Sequence, residues 1–173
     1  MKTNIGLLLK KRAEICPNRE AFVEFERDRR FTFAQLNARA NRVANGLLAR
    51  GIGPGDRVAT LLKNSIEFVE TYFAVAKIGA VMVPVNWRLV AGEIAYILQD
   101  SGAKALVYDS DFDEVVSALQ GGAHGGLAGA VVPVLQAADS HTTISVLVPA
   151  TDAGAAVAAL HAGFGLGGSA ERA

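Results

Sequence analysis

Apolar residues Leu36, Ala40, Val43 and Leu47 recur at i, i+4, i+7 and i+11, which is the single stripe of an amphipathic helix. Thr32 precedes that stripe with Gln35 three positions on, a capping box, and Phe31 and Leu36 sit where a hydrophobic staple would place them. Gly51 supplies the left-handed stop. Arg39, Arg42 and Arg50 lie off the stripe and are expected in solvent. Upstream, Asn4–Ile15 carries Ile5, Leu8, Leu9 and Arg12 at helical spacing, and Pro17 ends it. Ala21–Glu26 alternates Phe22, Val23 and Phe25 with charges and reads as a strand. Arg27-Asp28-Arg29 turns the chain into a return strand, Arg30–Phe33.

From Arg57 onward, apolar runs and helical patterns alternate. Strands are predicted at Arg57–Leu62, Val81–Val85 and Lys104–Tyr108. A helix is predicted from Asn64, with Glu67 three positions on, to about Lys77, where Gly79 stops it. Its residues Ile66, Phe68, Val69, Tyr72, Phe73, Val75 and Ile78 cover most of the circumference, so it is expected to be buried between layers. A further helix spans Val90–Ser101, with Ile94, Ile97 and Leu98 inward and Gly102 as its stop. Asp111–Leu119 is a last helical piece, opened by acidic residues that suit a helix N-terminus. Alternating strands and helices with short connections imply an α/β fold: a layered, largely parallel sheet with right-handed crossovers and helices on both faces.

Composition divides the chain at Gln120. Residues 1–120 hold 16 of the 17 Lys/Arg and 14 of the 17 Asp/Glu, whereas residues 121–173 hold 10 of the 18 Gly and all three His. The formal net charge is zero, and no basic stripe points to nucleic acid. Cys16 is the only cysteine, so a disulfide framework is excluded and a reducing compartment is implied. With no His in residues 1–120 to activate it, Cys16 is read as a structural thiol. The run Ile5–Leu9 is too short for a signal-peptide core. Tyr72–Val85 contains Lys77 and falls short of the ~20 apolar residues of a membrane helix. A cytoplasmic protein with no transmembrane segment is expected.

Gly51-Ile52-Gly53-Pro54-Gly55-Asp56 invites a phosphate-loop reading. Phosphate loops follow a strand and open a helix, because the helix N-terminus supplies the N–H groups. Here a helix precedes and a strand follows, so a tight turn is expected.

Several short strings in fixed order are more specific than any of these patterns. They are Thr32-Phe33-Ala34-Gln35-Leu36, Gly55-Asp56-Arg57-Val58, Asn64-Ser65 with Glu67-Phe68, Lys77-Ile78-Gly79-Ala80, Pro84-Val85-Asn86-Trp87-Arg88-Leu89, and Glu93 through Leu98 before Asp100-Ser101-Gly102-Ala103. Together they resemble the opening of an acyl-CoA synthetase, a fatty-acid–CoA ligase of the adenylate-forming superfamily, over about residues 4–115. The resemblance implies the N-terminal portion of that family's large domain. It also implies the family reaction: a carboxylic acid, with fatty acids the expected class, is joined to AMP at the expense of ATP and then passed to coenzyme A, with Mg²⁺ stabilising phosphate charge. One site residue transfers. The Arg of the Asn-x-Arg-Leu step lies near the coenzyme A nucleotide in some members, and that position is Arg88. The alternative for this step is structural: Asn86 shapes a turn, Trp87 packs, and Arg88 pairs with a surface carboxylate.

The family's Ser/Thr/Gly-rich loop ending in Pro-Lys-Gly does not occur through Ala173, and no Lys follows Lys104. The resemblance therefore implies a partial AMP-binding domain over 1–120 that binds neither ATP, Mg²⁺ nor coenzyme A productively by itself, with no catalytic or metal residue assigned. A non-catalytic α/β module that associates with a partner protein is the alternative. Exposed apolar faces and sheet edges predict self-association or aggregation. The tail, 121–173, reads as an Ala/Gly/Val-rich extension outside the family, as a shifted reading frame would produce. Within it a strand at Thr142–Val148 and a helix at Asp152–His161 remain open. Gly163, Gly165 and Gly168 match G-x-G-x-x-G, but only five residues follow, too few for the helix and second strand of a dinucleotide unit. Asp139-Ser140-His141 and the scattered His124, His141 and His161 are assigned no catalytic or zinc role.

Overall fold

The computed structural model describes residues 4–120, 129–136 and 142–149. Helix α1 (Gly6–Ile15) opens the chain, its first turn closed by Asn4 Oδ1, which accepts from the Gly6 N–H at 2.7 Å. Strands β1 (Glu20–Glu24) and β2 (Arg29–Thr32) form an antiparallel hairpin, with Asp28 left-handed in its turn at φ 46°. Helix α2 (Phe33–Leu48) starts at the expected capping box. Thr32 Oγ1 accepts from the Gln35 N–H, and Gln35 Oε1 accepts from the Thr32 N–H at 2.9 Å.

Strand β3 (Arg57–Leu61), helix α3 (Ile66–Lys77), strand β4 (Val81–Pro84), helix α4 (Ala91–Ser101), strand β5 (Ala105–Asp109), a 3₁₀ turn (Ser110–Phe112) and helix α5 (Asp113–Gln120) follow in the expected alternation. Strands β4, β3 and β5 pair in parallel with β3 central. Beyond α5 the topology changes. Strands β6 (Gly129–Gln136) and β7 (Thr142–Pro149) form an antiparallel hairpin, and β7 joins β5 antiparallel, giving the order β4-β3-β5-β7-β6. The expected strand at Thr142–Val148 is thus β7. Strand β6 was not anticipated, because its Ala/Val run carries no alternation to separate strand from helix.

The pleat sends alternate residues of β3 and β5 to opposite faces. Ala59, Leu61, Leu106 and Tyr108 pack with Ile94, Leu98, Val116 and Leu119 of α4 and α5, while Val58, Ala105 and Val107 pack with Leu47 of α2 and Ala74 and Val75 of α3. A third cluster joins Leu9 of α1 to Leu36, Ala40 and Ile66. Both faces of the parallel strands are therefore covered, as such strands require. Gly6 lies against the end of α3 so closely that a Cβ there would meet the Lys77 backbone nitrogen at 2.4 Å.

Helix α3 differs from its apolar expectation. Its inward side carries Glu67, Glu70 and Thr71 beside Ala74 and Val75, while Tyr72 faces out. Two carboxylates inside a core need partners. Arg29 grips Glu67 with Nη1–Oε1 at 2.9 Å and Nη2–Oε2 at 3.2 Å, and its Nε donates to Glu24 Oε2 at 2.6 Å. Arg39 Nε donates to Glu70 Oε2 at 2.6 Å, with Nη2–Oε1 at 3.3 Å. Both guanidiniums lie over the Phe31 ring, at 6.0 Å for Arg29 and 5.2 Å for Arg39. Arg39, expected in solvent, is a half-buried clamp. Arg50, also expected there, is half-buried, its Nη1 donating to the Gly46 carbonyl.

Candidate functional site

Parallel strands deliver all their carboxyl ends to one edge of the sheet, and loops gather there. At that edge β3 runs into Leu62 and Lys63, β4 into Val85-Asn86-Trp87-Arg88, and β5 into the 3₁₀ turn. Asn86 Oδ1 accepts from the Arg88 N–H at 3.0 Å, an Asx turn that presents two exposed side chains, Trp87 and Arg88. The Arg88 guanidinium stacks over the Trp87 ring at 4.2 Å. Asn86 thus shapes the turn, as the structural alternative supposed, and Arg88 contacts the Trp87 ring; among the described residues no carboxylate pairs with it.

Lys63 enters the same cluster from β3. Its Nζ lies 2.6 Å from Asp111 Oδ2, 6.0 Å from the Trp87 ring centre and 5.9 Å from that of Phe112. The hydrogen bond that Lys63 donates to Asp111, and then the charges of Asp111 and Asp109, hold the Lys63 ammonium above its ordinary pKa, while burial and Arg27 oppose them. Asp109 is buried, and its Oδ1 accepts from the Asp111 N–H at 3.2 Å, which fixes the start of the turn. The cluster offers two cations on a partly exposed indole. Such a surface can hold an anionic or planar group; it contains no activated nucleophile.

The glycine-rich turn sits at the opposite end of the sheet, before β3. Its N–H groups are engaged: Gly51 donates to the Leu48 carbonyl at 3.0 Å, Gly53 to Asp56 Oδ2 at 2.9 Å and Gly55 to the Gly79 carbonyl at 2.9 Å. Asp56 is also paired with Lys104. Gly51 and Gly55 are left-handed at φ 76° and 82°. This is a helix-to-strand turn, as the order of elements implied, and it does not fit the phosphates of ATP.

Cys16 is half-buried at the end of α1, its Sγ donating to the Arg12 carbonyl at 3.3 Å. Among the described residues, no group of three or more His, Cys, Asp or Glu could hold a metal ion. Nor, among them, is any helix long and apolar enough to cross a membrane. The Asp139–His141 string, the three His, the terminal glycines and the expected helix at Asp152–His161 lie outside the described residues. Lys63 and Asp111 were missed from sequence because they are 48 positions apart and only the parallel pairing brings them together. The signal for Arg29 and Arg39 was present: Glu67 and Glu70, one turn apart on an otherwise apolar helix, required cations.

The AMP-binding enzyme family matches residues 9–160 of the chain. That match runs beyond the composition step at Gln120. A long-chain-fatty-acid–CoA ligase of Mycobacterium tuberculosis, FadD13, is 48% identical over 117 residues, which are 68% of this chain and 23% of that protein. A feruloyl-CoA synthase of an Amycolatopsis species is 47% identical over 91 residues, 53% of this chain and 18% of that protein. Among solved structures, the N-terminal domain of FACL13 from Mycobacterium tuberculosis superposes with a TM-score of 0.68 at 47% identity, covering 70% of this chain and 31% of that one. The chain therefore spans about a fifth of the length of the curated relatives it matches.

Proposed function

The chain belongs to the AMP-binding enzyme family, and on that premise we propose that it supplies the N-terminal part of an acyl-CoA ligase. The proposed reaction is ATP-dependent activation of a carboxylic acid, fatty acids foremost, followed by transfer to coenzyme A. The near-half identity to a long-chain-fatty-acid–CoA ligase carries this reading. A near-equal identity to a feruloyl-CoA synthase means that identity over this segment does not distinguish one acid from another.

Within this reading the carboxyl edge of β3, β4 and β5 meets the nucleotide end of coenzyme A. Arg88, pre-stacked on Trp87, is the contact we assign. Its planar, permanently charged fork suits a phosphate. ATP and Mg²⁺ would supply the activating chemistry; among the described residues the glycine-rich turn does not fit the phosphates of ATP, and no group of three or more His, Cys, Asp or Glu could hold the metal. The 173 residues contain no Pro-Lys-Gly loop and no Lys after Lys104. We therefore expect no turnover from this chain alone. A cytosolic setting, where ATP and coenzyme A are available, suits the reading. The β4 edge, unpaired on its outer side among the described residues and with Val81 exposed, favours self-association.

An ATP–pyrophosphate exchange assay with mixed fatty acids tests the catalytic part. Exchange at background is expected for the 173-residue chain. Exchange clearly above background would overturn the assignment of incompetence and would require an ATP site elsewhere in the chain.

A further inference from the structure

We propose that Lys63 is a second phosphate-binding group at the carboxyl edge, held by Asp111 until a phosphorylated nucleotide displaces that carboxylate. The inference rests on the reading of Arg88 as a contact for the nucleotide of coenzyme A, and it extends the site across the sheet from β4 to β3 and β5.

Geometry carries the argument. Lys63 and Arg88 come from different strand ends yet lie over one ring, at 6.0 Å and 4.2 Å from the Trp87 centre. Like charges gathered on one aromatic surface make a focus for an anion. The Lys63 partner is replaceable. Its ion pair with Asp111 has side chains 47% and 51% exposed, and water competes with such pairs so well that they hold little net stability. A phosphate monoester carries about −1.5 to −2 charge near neutral pH, more than one carboxylate, and so competes for the ammonium. Asp111 can release Lys63 without disturbing the fold. Its N–H stays bonded to Asp109 Oδ1, its neighbour Phe112 is buried in the core, and its side chain is half exposed.

The two basic groups would also divide their work. Arg88 is stacked and oriented before any ligand arrives, whereas Lys63 is a flexible point charge that must change partner. Asp111 then acts as a competitor for Lys63, and removing its charge should strengthen binding even though it removes an ion pair.

Trp87 is the only tryptophan of the chain, so its fluorescence reports the site directly. The full chain would be titrated with adenosine 3′,5′-bisphosphate, and separately with inorganic pyrophosphate, reading half-saturation. Asp111→Asn is expected to tighten binding about two- to five-fold, and Lys63→Gln to weaken it about two- to five-fold, the range an exposed ion pair spans. The double variant should lose the gain from Asp111→Asn. If that gain persists without Lys63, or if Asp111→Asn does not tighten binding, the inference is overturned. Arg88→Gln separates the two readings. Unchanged affinity in that variant would remove Arg88 as a contact, while the Lys63–Asp111 cycle still decides the inference. The cycle seen with pyrophosphate alone would uphold Lys63 and remove the coenzyme A reading. No response to either probe overturns the inference. Melting curves of each variant establish that the fold is intact.

Discussion

Among the described residues, two clusters bring arginine or lysine, carboxylate and an aromatic ring together, and they differ in one physical variable. Around Phe31, Arg29 and Arg39 clamp Glu67 and Glu70 inside the packing of β2, α2 and α3. Around Trp87, Arg88 and Lys63 face water with Asp111. The Glu67 and Glu70 side chains are 2% and 7% exposed, and those of Lys63 and Asp111 are about half exposed. Burial makes the first cluster hard to exchange, because a lost partner strands a desolvated charge. Exposure makes the second cheap to rearrange. The same residue types therefore fix a helix at one place and remain available to a ligand at the other.

The sharpest way to break this contrast is to remove one buried carboxylate. Glu67→Ala leaves Arg29 with Glu24 as its carboxylate partner and opens a void where the buried side chain lay. We expect a loss of about 3 kcal/mol in urea denaturation, the range for breaking a buried ion pair. A loss near zero would mean that the Phe31 cluster is as exchangeable as the Trp87 cluster. A double-mutant cycle with Arg29→Ala should return a coupling well above that of any surface pair.

Acid titration separates the two buried glutamates from each other. For Glu67, burial opposes ionisation, but the Arg29 hydrogen bonds, with help from its own backbone N–H, Ser65 and the Arg29 charge, outweigh it, and the pKa falls below the ordinary 4.5. Its contribution is complete above 4.5 and is lost as the pH falls through the lowered value. For Glu70, burial dominates over the Arg39 bond and raises the pKa. Here the folded state binds the proton more tightly, so stability falls as the pH rises from 4.5 through the raised value. Against the parent chain, Glu67→Gln should become relatively worse as the pH rises towards 4.5. Glu70→Gln should become relatively better as the pH rises beyond 4.5. Slopes of the same sign in the two variants would refute this division.

Much of the frame was readable before any coordinates, because its signals are local. The Thr32–Gln35 box, the left-handed Gly102 and the strand–turn–helix punctuation from Arg57 onward act within a few residues, and each stands where expected. What escaped depends on tertiary placement. Arg39 looked solvated because the apolar stripe of α2 says nothing of Glu70 on α3. Helix α3 looked apolar all round because Ile66, Val69 and Phe73, which pack towards α1 and α2, were counted with residues that meet the sheet. At the candidate site Asn86, Trp87 and Arg88 were visible as one string. Lys63 and Asp111 were not, since only the adjacency of β3 to both β4 and β5 assembles them. β6 escaped for a different reason: Ala, Val and Gly without alternation leave the period undefined.

The smallest expected effect tests the exposed side of the comparison. Lys63→Gln removes an ion pair that water already contests, and the ring contacts at 5.9 and 6.0 Å are at the outer reach of a cation–π attraction. The melting temperature should move by less than about 2 °C, within the range of substitutions away from buried features. Added salt makes the distinction independent of mutation. At 1 M salt the screening length shrinks to about 3 Å, so Lys63→Gln should melt with the parent chain. The deficit of Glu67→Ala should survive in the same buffer, because the Glu67 side chain is only 2% exposed and salt screens a pair buried on that side far less. If high salt erased both differences, the Phe31 cluster would be open to solvent. The contrast on which Lys63 is read as free to change partner would then be lost.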